Sequence, residues 1–287
     1  MPRLALLLTT FIWGATFPAT KAALEQIPPL SFLALRFLLG TVLIAAWFVV
    51  AGYRWQRHQG ILQAGSIATV FLFFGYALQT VGLYYTSASN SAFLTALYVV
   101  IVPIMLRRFD VRVVTATVIA TAGLWLLVKP STTMNLGDVM TIGCAIAFAG
   151  HIVCLERYTR LFDAPSLLLW QMIAMTGLFF PMMAWEQAPA QAFALSPALL
   201  IGLTVTGVFA TGAFAVQMWA QQLIPAQQVA LIFASEPAYA AWLSWYFLGE
   251  TLDVQSWIGS GLILTAVLIG AFVSPSAETA TPATEPA

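Results

Sequence analysis

Polar and aromatic side chains recur three and four residues apart inside stretches that are otherwise apolar. The sets are Thr9, Trp13, Thr16 and Thr20 with Phe17 adjacent; Tyr76 and Gln79; Asn90, Leu94 and Tyr98 with Phe93; Phe148 and His151; Phe214 and Gln217; and Gln228, Ile232, Ser235 and Glu236. On a helix this spacing puts each set on one face, and among apolar neighbours such a face looks toward protein or water. Amides, hydroxyls and rings with little net charge suit the binding of a small zwitterionic or weakly polar solute with an apolar side group. The amides can hydrogen-bond a carboxylate and an ammonium while rings such as Trp13, Phe17, Tyr76, Phe93 and Phe148 pack on the side group. An amino acid has that chemistry. With 20 Phe, 10 Trp and 8 Tyr in the chain, most rings must be lipid-facing, interfacial or core. Amides also serve as interhelical glue.

The ionisable groups inside these stretches each have two uses. Glu236 lies near the middle of its stretch, where a carboxylate is costly unless solvated, paired or protonated. It is a candidate proton or cation coupling site. Its structural use is to help satisfy a helix broken by Pro237, which removes a backbone donor and frees a carbonyl four residues back. His151 could bond substrate or shuttle protons, or simply pack. Lys21 and Arg36 fall near helix ends, where long stems can snorkel to the interface. Glu156 beside Arg157 reads as a local interfacial charge. A phosphorylated solute would want a deep cluster of Lys or Arg, which is missing from the sequence.

Neither paired catalytic carboxylates nor a nucleophile and base with matching spacing occurs, so an enzyme is not expected, and a signalling scaffold would show a larger soluble module. Metal-ligand spacing and phosphate loops are missing too, so neither a metal nor a cofactor is expected. Eleven basic residues balance eleven acidic ones, which leaves no footprint for nucleic acid. The expected partners are a small-molecule substrate and the lipid bilayer, with the chain acting as a monomer. Cys144 and Cys154 are ten residues apart on one predicted helix. That is about 15 Å, too far for a disulfide.

The elements that would position these residues are ten apolar stretches of membrane-spanning length. Only 8% of the residues are charged against 61% hydrophobic, more apolar surface than a soluble domain needs. Each bilayer crossing takes about 20 residues in a helix that satisfies its own backbone. The predicted spans are 3–23, 30–51, 62–83, 88–106, 111–128, 137–157, 165–185, 197–219, 225–247 and 254–273. The first run continues to about Ala23 without a convincing cleavage site and reads as a membrane helix, not a signal peptide. Arg3, Arg54, Arg57, Arg107, Arg108, Arg112, Arg157 and Arg160 all fall on one side. Opposite them are Lys21, Lys129, Glu25, Glu186, Glu250 and Asp253. The positive-inside bias therefore puts both termini in the cytoplasm. The tail 274–287, a mixture of Pro, Ala, Thr and Glu, reads as disordered.

Sliding the chain by 138 residues aligns Phe71 with Phe209, Ala77 with Ala215, Gln79 with Gln217, and Ala88, Ala92 and Ala96 with Ala226, Ala230 and Ala234. Tyr76 falls over Phe214 and Asn90 over Gln228. Two halves of five helices, an odd number, must enter the membrane in opposite senses. The expected organisation is a first repeat over 1–130, a second, inverted repeat over 131–273 and the tail 274–287. Inverted repeats recur in secondary transporters because their halves can exchange conformations around a site near the midplane.

The segments Phe11-Ile12-Trp13-Gly14-Ala15-Thr16-Phe17, Ala92 to Pro103, Ser235-Glu236-Pro237, Leu248-Gly249-Glu250-Thr251-Leu252 and Trp257-Ile258-Gly259 together resemble the drug/metabolite transporter superfamily, and within it the EamA-like ten-helix group. The pattern departs at Leu106-Arg107-Arg108-Phe109, where the group often repeats Leu-Gly-Glu. The resemblance implies an all-α integral membrane protein of ten helices in two inverted five-helix repeats, with a cavity lined mainly by the first, third, fourth, sixth, eighth and ninth. It further implies a bacterial inner-membrane transporter that exports small metabolites, amino acids foremost and aromatic or hydrophobic ones among them, by alternating access. The alternative is efflux of drugs or cationic compounds by proton antiport, with Glu236 facing the cation. The candidate substrate-binding set is Trp13, Phe17, Tyr76, Gln79, Asn90, Phe93, Tyr98, Phe148, His151, Phe214, Gln217, Gln228 and Glu236.

Overall fold

The computed structural model describes residues 1–128, 134–248 and 252–271. Lys129, Glu250 and the tail 274–287 lie outside the described residues, as does part of the segment Leu248 to Leu252. The described chain is helical throughout: α1 (Pro2–Ala23), α2 (Pro29–Val50), α3 (Gln59–Tyr85), α4 (Ala88–Ala96), α5 (Tyr98–Leu106), α6 (Val111–Val128), α7 (Leu136–Leu161), α8 (Ala164–Glu186), α9 (Pro197–Leu203), α10 (Ala210–Gln221), α11 (Ala226–Phe233), α12 (Glu236–Leu248) and α13 (Val254–Ala271). These make ten rods among the described residues, matching the ten predicted spans to within a few residues. The fourth, eighth and ninth rods are each interrupted.

Seven rods are long and apolar enough by themselves to cross a bilayer: Pro29–Val50, Gln59–Tyr85, Ala88–Leu106, Val111–Val128, Leu136–Leu161, Ala164–Glu186 and Pro197–Gln221. The apolar stretch Val254–Gly270 is shorter. The first rod is diluted by its threonines and Lys21. Large apolar side chains such as Val50, Phe74, Val118, Trp125 and Trp185 point outward around the perimeter, the reverse of a water-soluble surface. Inside, Thr10, Thr69, Thr141, Thr159 and Thr206 are buried, and each donates its hydroxyl to the carbonyl four residues back. Those hydroxyls are satisfied within their own helices.

Helix starts follow local sequence. Ser87, Asp163 and Ser196 each accept a hydrogen bond from the backbone N–H three residues on, and Asn135 with Asp138 forms a reciprocal capping box. Pro2, Pro29 and Pro197 open their helices, where a missing donor costs nothing. Glu186, at the end of α8, accepts from the N–H groups of Leu30 and Ser31 at 3.0 and 2.7 Å and so caps α2.

The rods pair as α3 with α7, α6 with α13, α2 with α8, and α1 with α10 and α12. Small residues permit the closest approaches, as expected where lipid offers helices no hydrophobic drive to associate. A Cβ at Gly123 on α6 would fall 2.7 Å from the Gly259 carbonyl oxygen on α13, and one at Gly259 would fall 2.5 Å from the Gly123 carbonyl oxygen. Gly177 has nothing within 4 Å of such an atom. Gly123→Leu is therefore expected to destabilise the α6/α13 pair by at least ~1–3 kcal/mol, and Gly177→Ala to be tolerated. Thermal unfolding in detergent micelles checks this; equal midpoints for the two variants would contradict the packing.

Candidate functional site

The fourth and ninth rods break near their middles, at Leu97 between α4 and α5 and at Ala234-Ser235 between α11 and α12. Pro237 explains the second break, since its ring clashes with the carbonyl of Phe233. Ser235 Oγ donates to the Ile232 carbonyl at 2.7 Å and satisfies one group there. The residues that resume each helix face one another: Tyr98 Oη donates to Glu236 Oε2 at 3.0 Å, across 138 positions of sequence. The carboxylate of Glu236 thus bonds across the fold to another rod, not back to its own broken helix.

Around this bond lies a cavity lined by Trp13, Thr16, Tyr76, Gln79, Thr95, Tyr98, Phe148, His151, Ile152, Phe214, Gln217, Phe233 and Glu236. These come from α1, α3, α4, α5, α7, α10, α11 and α12. The rings form a collar. Trp13 meets Phe233 at 4.8 Å and Phe214 at 5.2 Å, while Tyr76 meets Phe148 at 5.2 Å and Phe214 at 6.1 Å. Polar groups interrupt it. Gln79 donates to Thr95 Oγ1 at 3.2 Å, and Gln217 Nε2 donates to Gln221 Oε1 at 2.8 Å. His151 Nε2 is bonded to Gln171 Oε1 at 2.9 Å, which commits one ring nitrogen to packing.

Two buried polar atoms of the lining have no partner: Trp13 Nε1, a donor, and Gln217 Oε1, an acceptor. Such atoms are uncommon in interiors and mark places where a ligand or water completes the bonding. The cavity holds about 50 Å³, room for a few waters. It is well below the several hundred Å³ of typical small-molecule pockets.

Nine of the thirteen sequence-predicted site residues line the cavity; Phe17, Asn90, Phe93 and Gln228 do not. Phe17 is buried against Ala92 and Ala240, and Phe93 packs in the main core. Asn90 donates to Thr86 Oγ1 and Asp138 Oδ1 at 3.1 and 2.5 Å, in a surface vestibule of about 820 Å³ shared with Lys21. Gln228 accepts from Arg3 at 3.2 Å, on the face where α1 begins. The amides at the starts of the fourth and ninth rods therefore sit at opposite faces, about half a rod length from the cavity. Thr95, Ile152 and Phe233 line it without being singled out beforehand. Offset pairing could have found two of them: 138 positions relate Thr95 to Phe233, as they relate Trp13 to His151 and Tyr98 to Glu236.

Both faces are tied. On the face where α1 begins, Gln227 Nε2 donates to the Arg108 carbonyl at 2.5 Å and Arg108 pairs with Glu156 at 3.1 Å. On the other, Lys21 does not snorkel freely: its ammonium donates to the carbonyls of Leu83 and Thr86 at 2.7 and 2.8 Å. Polar bonds thus link rods at both faces.

The sequence pattern of the EamA-like transporter family matches the chain over residues 2–129 and again over 135–271. The chain is 32% identical over 272 residues to an uncharacterized transporter of Archaeoglobus fulgidus, covering 93% of this chain and 84% of that protein. It is 27% identical to the uncharacterized transporter YwfM of Bacillus subtilis, with 93% and 92% covered. To the uncharacterized inner membrane transporter YedA of Escherichia coli K12 it is 25% identical, with 92% and 89% covered. A solved crystal structure superposes with a TM-score of 0.78 over 95% of this chain and 99% of that one, at 15% identity, a likeness of fold alone.

Tyr98→Phe removes the described donor to a buried carboxylate oxygen and is expected to lower stability by ~1–3 kcal/mol. Glu236→Gln, whose amide oxygen can accept the same bond, should cost less. Unfolding midpoints in micelles that rank the two variants the other way would mean that the Tyr98–Glu236 contact does not hold the two broken rods together.

Proposed function

Because the chain belongs to the EamA-like transporter family, we propose that it exports small metabolites, amino acids foremost and aromatic or hydrophobic ones among them, by alternating access across the inner membrane. The observation that carries this is the chemistry of the cavity wall: a collar of rings interrupted by an unpartnered donor, Trp13 Nε1, an unpartnered acceptor, Gln217 Oε1, and the Glu236 carboxylate. Rings accommodate an apolar side group, while separate donors and acceptors suit a zwitterionic head.

The proposed organisation is a repeat over 1–130, an inverted repeat over 131–273 and a cytoplasmic tail 274–287, with both termini in the cytoplasm. Four observations support it. The family pattern matches once in each half. The principal helix pairs map onto one another when each rod is exchanged with the rod five further on: α3 with α7 becomes α10 with α1, and the α2/α8 and α6/α13 pairs map onto themselves. Ten of the cavity residues fall into five pairs at an offset of 138 positions. The described arginines Arg3, Arg54, Arg57, Arg107, Arg108, Arg112, Arg157 and Arg160 share the face where α1 begins, as the positive-inside bias requires of a cytoplasmic face. In this scheme a monomer suffices.

A second reading, efflux of organic cations by proton antiport, is favoured by one feature: rings around a carboxylate attract a delocalised cation. Counterflow into proteoliposomes with labelled amino acids and a cationic dye, with and without an imposed pH gradient, separates the two. Saturable amino-acid exchange is expected, weakened at least tenfold in affinity by Gln217→Ala. Gradient-driven dye movement without amino-acid exchange would move the assignment to the second reading. Movement of neither solute would remove amino acids and cations alike as cargo.

A further inference from the structure

Arg36 is the buried charge that the cavity's described bonds leave out. It lies roughly 10 Å along α2 from the start of that helix, and only 4% of its surface is exposed. A long basic side chain so placed is expected to snorkel toward the interface. Here it turns inward, and its guanidinium carbon rests 4.3 Å from the centre of the Tyr76 ring and 4.8 Å from that of Phe37. Its Nε has no hydrogen-bond partner, and among the described residues no carboxylate pairs with it. Stacking on two rings offsets part of the cost of burying a cation and leaves the charge itself uncompensated. In a membrane interior that state is expensive and signals a functional counter-ion.

The position of the charge indicates which counter-ion. Tyr76 is both the ring that Arg36 leans on and a wall of the central cavity. It touches the Arg36 guanidinium on one side and shares the cavity lining with Glu236 on the other. The cavity is thus flanked by a cation behind Tyr76 and an anion beside Tyr98, with the rings between them. α2 is also held closely at this point: a Cβ on Gly207, in the π-helical turn Thr204–Phe209, would fall 3.3 Å from the Arg36 carbonyl oxygen. A π-turn packed against the helix that carries the charge fits a working site.

We propose that Arg36 is the anion-recognising residue of the cavity, pairing with the carboxylate of the bound solute once Tyr76 shifts aside, while Glu236 takes the solute's cationic end. This rests on the reading of the central cavity as the transport site and narrows its cargo to solutes that carry a carboxylate. A guanidinium matches a carboxylate with two parallel hydrogen bonds. A cation without one would leave Arg36 without a carboxylate partner.

The test uses the full-length protein in detergent and three probes that share one ring: L-phenylalanine, 3-phenylpropanoate and phenethylamine. Binding is read as the shift in thermal midpoint and by intrinsic tryptophan fluorescence. Wild type should bind the two carboxylates at least tenfold more tightly than the amine. Arg36→Gln should lose tenfold or more for 3-phenylpropanoate and leave phenethylamine unchanged, and Arg36→Lys should fall between. An unchanged ratio in Arg36→Gln overturns the proposal. So does a wild type that binds the amine as well as the acids or binds none of the three, a result that needs no variant to fold. A midpoint raised by chloride alone, with no further gain from the carboxylates, would make Arg36 an inorganic anion site and overturn it too. Carboxylate preference lost in Arg36→Gln without amino-acid counterflow would sink the export reading and spare Arg36. Counterflow of phenylalanine by an Arg36→Gln protein that keeps its carboxylate preference would do the opposite.

Discussion

The hydrogen bond from Tyr98 to Glu236 joins two interrupted helices at the places where their backbones lose regular pairing. In hydrocarbon a broken helix survives only where protein or enclosed water meets its freed groups. The breaks at Leu97 and Ala234-Ser235 therefore require an enclosed polar space, and the helices around them supply it. α1 approaches α12 closely enough that a Cβ on Gly14 would fall 2.9 Å from Tyr239 Cβ and 3.0 Å from the Glu236 carbonyl oxygen. Trp13 and Thr16 flank that contact and turn into the cavity. One close helix crossing thus holds the carboxylate in register and delivers part of the wall.

The bonds at the two faces are polar where the cavity is aromatic. Arg3 with Gln228 and Gln227 with Arg108 tie one face; Lys21 with the end of α3 and Asn90 with Asp138 tie the other. Each tie includes the start of the fourth or ninth rod or the loop just before it or beyond its far end, so the broken rods link both faces to the centre. These contacts are part-buried, and each polar bond is modest in net worth. Breaking the ties at one face at a time is an inexpensive motion, whereas parting the glycine-packed α6/α13 pair is not. The proposed exchange between two open states requires that division.

Much of the fold was legible because lipid imposes a length and an apolar composition on every crossing. All ten rods fall on the predicted spans. The interruptions were less so: Pro237 marks one, but no proline stands four residues after Leu97, and the π-turn at Thr204–Phe209 has no local signal. The site was legible where helical spacing and the 138-residue offset agree, as at Tyr76, Gln79, Phe214 and Gln217. It misled at Asn90 and Gln228, which stand 138 positions apart yet lie at opposite faces, because the fourth rod starts at one face and the ninth at the other. Arg36 was read as an interfacial charge, since a sequence shows depth along a helix but not the rings that draw a side chain inward.

In the proposed transport cycle Gln217 and its neighbours form one cavity reached alternately from each face. This is tested most directly by a single cysteine at position 217, in a chain whose Cys144 and Cys154 are replaced, probed in sealed oriented vesicles with a membrane-impermeant thiol reagent applied to either side. The prediction is modification from both sides, at rates that fall when solute holds the cavity closed. Modification from one face alone, or from neither, would contradict it.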